Sequence, residues 1–137
     1  MQIKFSKYQG TGNDFILLNN LSESYDALSV DDIKLLCNRR FGIGADGLIK
    51  INQSFSKAFE MDYYNSDGSK SFCGNGARCA VAFAETLGIE VSDLTFDAFD
   101  GSHLASKTTD NIKIQMGNVE NVHAFENEFE LYLELFH

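Results

Sequence analysis

The spacing of apolar residues divides this chain into short strands and two helices. Residues 3–8 alternate, with Ile3 and Phe5 on one face, as a strand requires. Residues 15–18 are apolar at every position, the pattern of a strand buried on both faces. Ser29-Val30-Asp31-Asp32 predicts a capped helix start, with Asp in the place usually taken by Glu. The helix that follows would carry Ile33, Leu36 and Cys37 on one face. Arg39-Arg40 would occupy its last turn, where cations suit the helix dipole. Residues 48–51 read as a further strand, and Phe59, Met61 and Tyr63 alternate with Glu60, Asp62 and Tyr64 in another. Short strands over 94–99, 103–106 and 112–116 are separated by Asp100-Gly101 and Asp110-Asn111 turns. Phe129, Leu131, Leu133 and Leu135 alternate with Glu130, Tyr132 and Glu134 in a last strand, after a shift of composition over 117–128.

The second helix, expected over 75–87 and stopped by Gly88, differs from the first. Ala77, Cys79, Ala80, Val81, Ala82, Phe83, Ala84 and Leu87 leave only Arg78, Glu85 and Thr86 as polar members. A helix apolar nearly all round is a buried helix. In a chain otherwise rich in strands, sheet must wrap it. The fold class expected is therefore α+β.

Composition narrows the class further. The length of 137 residues suits one compact domain. With no proline, tight turns must come from the 11 glycines and from Asn and Asp. The formal net charge of −9 argues against nucleic acid as a partner, which calls for a basic face. No apolar run approaches the roughly 20 residues of a membrane span, and the start, MQIKFSKYQG, lacks the apolar core of a secretory signal. Glu120, Glu126, Glu128, Glu130 and Glu134 give the C-terminal stretch an acidic, solvated character. Cys37, Cys73 and Cys79 form no CxxC, and the three histidines are scattered, so neither a disulfide framework nor a metal site is expected. The simplest compartment is a reducing cytoplasm.

One stretch carries candidate chemistry: Cys73-Gly74-Asn75-Gly76 at the mouth of the apolar helix. A helix N-terminus presents unpaired N–H groups and a partial positive charge, which favour a thiolate and can hold a carboxylate. A small apolar filler near a helix cap explains the same cysteine, and spacing alone does not choose between the two. Cys37 and Cys79 sit among apolar neighbours at helical spacing and read as core. The loops around Asn13 and Asn65 are turns whose side-chain amides would suit a polar zwitterion if they lined a pocket with Cys73. Phe41-Gly42-Ile43-Gly44 follows a helix and lacks a third glycine, so it is not a dinucleotide loop.

GTGNDF, RRFGIGADG, YYNSDGS and CGNGARC, in this order and at these separations, resemble the diaminopimelate epimerase family. The resemblance implies one lobe of a two-lobed fold, a mixed β-barrel or curled sheet around a central helix. It implies cofactor-independent interconversion of LL- and meso-diaminopimelate, in lysine and cell-wall biosynthesis, by two cysteines on opposite faces of the α-carbon. Neither pyridoxal phosphate nor a metal would take part. By the same resemblance Cys73 is the first of those cysteines, Gly74 and Asn75 cradle the α-carboxylate, and Asn13 and Asn65 bind polar groups of the substrate.

Two departures from the family pattern stand out. Many members carry Gln at the position of Gly47, so one substrate-contacting side chain is absent here. The chain also runs to about half the family length, which assigns residues 1–117 to the first lobe and 118–137 to the start of a second lobe or an acidic terminal strand. The second cysteine would lie in that second lobe. A homodimer or a complementary lobe is the expected protein partner. The competing reading is a non-catalytic binding or interaction module that retains a half-site, or a related amino-acid racemase or isomerase.

Overall fold

The computed structural model describes residues 1–116 in full, together with the backbone of residues 120–126 and 131–136. Seven strands form one mixed sheet in sequence order: β1 (Ser6–Gly10), β2 (Asn13–Asn19), β3 (Gly47–Asn52), β4 (Glu60–Asn65), β5 (Asp93–Ala98), β6 (Gly101–Lys107) and β7 (Ile112–Ile114). Two pairs are parallel, β2 with β3 and β4 with β5, and a helix bridges each. Helix α1 (Val30–Cys37) joins the first pair and α2 (Gly74–Thr86) the second.

Chirality explains which face each helix takes. A β–α–β crossover is almost always right-handed. Because β4 runs antiparallel to β3, the second crossover starts from a strand of opposite direction to the first. The same hand then sends the two helices to opposite faces of the sheet. The side chains record that outcome along β2. Phe15 and Leu17 pack with Ala77, Ala80, Val81 and Ala84 of α2, whereas Ile16 and Leu18 pack with Ile33 and Cys37 of α1. This is why the run 15–18 is apolar throughout.

The α2 face holds the larger core, which includes Ile49, Ile51, Phe59, Met61 and Phe96, with Phe59 stacked on Phe96 at 5.2 Å. α2 rests on β1 and β2 at one edge of the sheet and on β7 at the other. The sheet is thus curled around its helix as an open half-barrel, the α+β class expected from the apolar helix. Helix α2 ends as Gly88 requires. Gly88 takes φ +89°, its N–H bonds to Glu85 and that of Ile89 to Ala84, a Schellman closure.

Three elements differ most from their sequence expectation. The first strand begins at Ser6, not at residue 3, because the Lys4 N–H donates to the Tyr25 hydroxyl at 2.9 Å and ties the N-terminal segment to another loop. Helix α1 has its capping box, Ser29 with Asp32. It ends at Cys37, however, and leaves Arg39 and Arg40 outside. The Asn38 side chain accepts from the N–H groups of Arg40 and Phe41 and turns the chain away. Third, a strand β8 (Glu120–Glu126) lies within the composition shift and pairs antiparallel with β9 (Leu131–Phe136) in a separate two-stranded sheet. The boundary expected at 117/118, the residues Phe129 and Glu130, and the acidic side chains beyond it lie outside the described residues.

Candidate active site

Cys73 is the N-cap of α2, because the helix begins at Gly74, one residue earlier than the sequence suggested. Its backbone is extended (φ −131°, ψ 116°), its carbonyl accepts from the Ala77 N–H, and its Sγ accepts from the Gly76 N–H at 3.4 Å. A sulfur here takes the role that a Ser or Thr oxygen has in ordinary helix caps. Among the described residues, no internal acceptor meets the N–H groups of Gly74 and Asn75. These two donors and the half-buried thiol therefore sit together at the positive end of a 13-residue helix. The other two thiols are elsewhere. Cys37 and Cys79 are buried, and burial pushes each up to about 11.

The glycines here serve different ends. A Cβ at Gly76 would stand 3.3 Å from Ile49 Cδ1 and Met61 Cε, so Gly76 is small because α2 lies close on the sheet. A Cβ at Gly74 would meet, among the described residues, only the end of the Met116 side chain, at 3.5 Å. Gly10, on β1, approaches the Asn75 carbonyl.

Asn13 and Asn75 meet directly: Asn75 Nδ2 donates to Asn13 Oδ1 at 2.8 Å. Their amides are oriented from both ends. Arg78, which can only donate, bonds to Asn75 Oδ1, and the Asp46 carboxylate accepts from Asn13 Nδ2 at 3.1 Å. Thr11 and Gly12 form the tip of the β1–β2 hairpin with φ of 52° and 88°, and Arg78 also reaches the Thr11 hydroxyl at 3.3 Å. Positive φ at both tip positions is the signature of a tight hairpin turn, and it is costly for a β-branched residue.

Behind Asn13 lies a charge cluster. Arg39 donates to both oxygens of Asp14, at 3.1 and 2.7 Å, and to Asp46 at 3.1 Å, and Lys7 donates to Asp14 at 2.8 Å. The Arg39 guanidinium, helped by Lys7, holds the Asp14 carboxyl well below the usual carboxylate range. The release of Arg39 from α1 is what allows this clasp.

Asn65 stands apart from the Asn13–Asn75 pair but is tied to the same segment. Its Nδ2 donates to Ser71, two residues before Cys73, and to the backbone and hydroxyl oxygens of Ser69. Phe72 stacks on the buried His103 at 4.1 Å, and His103 bonds through Nδ1 to the Gln115 carbonyl and through Nε2 to the Asp100 carboxylate. The segment before Cys73 is thereby fixed on both sides. Of the expected residues, Cys73, Gly74, Asn75 and Asn13 converge at the start of α2, with Asn65 linked through Ser71. Spacing gave no signal for Asp14, Arg39, Asp46 or Arg78, whose chemistry arises only when distant loops meet. No cluster of metal-ligating side chains and no helix long and apolar enough to cross a membrane occur among the described residues.

A family model described as diaminopimelate epimerase matches residues 5–122. A diaminopimelate epimerase of Flavobacterium psychrophilum is 50% identical over 127 residues, which cover 91% of this chain and 50% of that protein. Those of Prochlorococcus marinus and Elusimicrobium minutum are 45% and 41% identical, covering 85% and 84% of this chain and 44% and 42% of theirs. The chain thus spans about half the length of the curated relatives it matches. Among solved structures, a phenazine biosynthesis protein of the PhzF family from Bacillus anthracis superposes with a TM-score of 0.58 over 98% of this chain and 40% of its own. At 15% identity that likeness speaks for the fold alone.

Proposed function

This chain belongs to the diaminopimelate epimerase family, and from that footing we propose that it supplies one face of a site for epimerising diaminopimelate at its α-carbon, in lysine and peptidoglycan synthesis. The observation that carries the reading is Cys73 as the cap of α2, beside two helix N–H groups with no internal acceptor among the described residues. In the proposed step the Cys73 thiolate takes the α-proton and becomes a thiol. The C–H electron pair passes into the carbanion and its carboxylate, which the Gly74 and Asn75 N–H groups stabilise where charge develops. A group on the opposite face returns a proton to the α-carbon and inverts it.

That opposite group is not among this chain's own thiols. Cys37 and Cys79 are buried in the two cores, one on each face of the sheet. The second acid therefore comes from a complementary lobe or a second copy, and the chain alone is expected to exchange the α-proton without epimerising efficiently. Asn13 and Asn65 contribute polar contacts to the substrate in this reading.

The test is α-proton exchange. The chain is incubated with diaminopimelate in deuterated solvent, and loss of the α-proton signal is followed by NMR. Exchange that disappears in Cys73→Ala supports the assignment. Exchange that persists in that variant removes Cys73 from the role, and the absence of exchange in the parent chain sets the reading aside in favour of a binding module.

A further inference from the structure

Gly47 begins β3 opposite Asn65 of β4. A Cβ built on it would stand 2.5 Å from Tyr63 Cε2, 2.9 Å from the Tyr63 hydroxyl and 2.7 Å from the Tyr64 carbonyl oxygen. Real side chains do not approach so closely, and one of the three obstacles is backbone, which cannot swing aside. The space over position 47 is thus already filled by the Tyr63 ring. That ring is only 5% exposed and meets Phe15 edge-on at 6.0 Å.

The Tyr63 hydroxyl has a definite task. It donates to Asn65 Oδ1 at 2.8 Å, while Asn65 Nδ2 faces Ser69 and Ser71. Either end of an amide can face a hydroxyl, but a phenol proton needs an acceptor, and the serine side offers acceptors to the NH2 group. Both ends therefore agree on one orientation, with the Asn65 oxygen turned towards Tyr63.

We propose that Tyr63 is a positioning residue of the site: it makes glycine obligatory at 47 and holds the Asn65 amide in the one orientation in which Asn65 meets the substrate. The proposal rests on the reading of Asn65 as a substrate contact. Burial, reinforced by the charge of Cys73, pushes the Tyr63 phenol up to about 12, so the hydroxyl remains a donor throughout the range in which a thiol exchanges protons. Specificity at this corner is then set by a core tyrosine acting through an asparagine rather than by a side chain at 47.

Tyr63→Phe keeps the ring and deletes only the bond, so the fold is retained. The readout is the pair of Asn65 side-chain NH2 resonances in nitrogen-15 spectra of the whole chain, assigned with Asn65→Asp. We expect the pair to shift and its solvent exchange to quicken in Tyr63→Phe, while the Asn13 and Asn75 pairs stay in place. An Asn65 pair unchanged in a folded Tyr63→Phe chain overturns the positioning role. In α-proton exchange, KM for diaminopimelate should rise about tenfold with kcat held, as loss of one oriented hydrogen bond implies. A fall in kcat at constant KM contradicts it. The amide spectrum needs no turnover, so a chain that fails to exchange the α-proton counts against the function and leaves the spectrum to decide on Tyr63. For the steric half, Gly47→Ala should lower Tm by roughly 5–10 °C, and a Gly47→Ala chain as stable as the parent refutes it.

Discussion

Asn75 Nδ2 donates to Asn13 Oδ1 at 2.8 Å across 62 residues of sequence, and this bond joins the hairpin tip to the start of the buried helix. Each amide is also held at its far end, by Arg78 and by Asp46, so the pair acts as a unit. Asn13→Ala and Asn75→Ala should each cost about 1 kcal/mol in urea unfolding. The double variant should cost clearly less than the sum, because residues in one network couple. Strict additivity would show that the two side chains act independently.

The acid limb of stability should depend on Asp14. Its carboxyl is held below its ordinary value of 3.8, chiefly by Arg39, so the folded state favours the carboxylate. A lowered folded value means stability that is present above the unfolded pKa and lost as pH falls towards the folded one. The parent should therefore exceed Asp14→Asn in Tm by its largest margin near neutral pH, and the margin should close below about pH 4. A gap in Tm that is constant from neutral pH to pH 3 would show that the effect of Asp14 is not one of charge.

The thiols should separate kinetically. Cys37 and Cys79 are buried and pushed up to about 11, whereas Cys73 is half-exposed at a helix start. Iodoacetamide at pH 8 should label the native chain at Cys73 first, by at least roughly tenfold over the others. Peptide mass mapping of the time course reads this directly. Comparable early labelling at Cys79 would place the reactive thiol inside the helix rather than at its cap.

The periodic elements were legible because burial on one face or two leaves its mark in sequence. The run Phe15 to Leu18 and the apolar α2 announce their surroundings in sequence, and Gly88 marks the helix end. The Asn65–Gly68 turn was equally plain. What stayed hidden depends on tertiary meeting. Arg39 and Arg40 have the composition of a helix C-terminus, yet the Asn38 side chain diverts the backbone and hands Arg39 to Asp14. The four loop motifs could be recognised together as those of an epimerase. Their spacing did not show that Asn13 touches Asn75, nor that Asn65 is reached through Tyr63. Gly47 reads in sequence as the loss of a contact, and what the sequence does not show is that a Cβ there would meet the Tyr63 ring.

The glycines of the α2 start offer the sharpest test of packing. A Cβ at Gly10 would lie 3.2 Å from the Asn75 carbonyl oxygen, which is backbone and cannot yield. At Gly76 the nearest atoms, at 3.3 Å, are Ile49 Cδ1 and Met61 Cε, the ends of flexible side chains. Gly76 also lies within α2, where alanine is favoured over glycine by about 1 kcal/mol. That gain offsets most of the crowding. Gly10→Ala should therefore destabilise by roughly 1–3 kcal/mol, and Gly76→Ala should fall within about 0.5 kcal/mol of the parent. Chemical denaturation of the two variants side by side decides the matter. Equal losses would mean that the close approach of α2 to β3 and β4 is as rigid as its approach to β1.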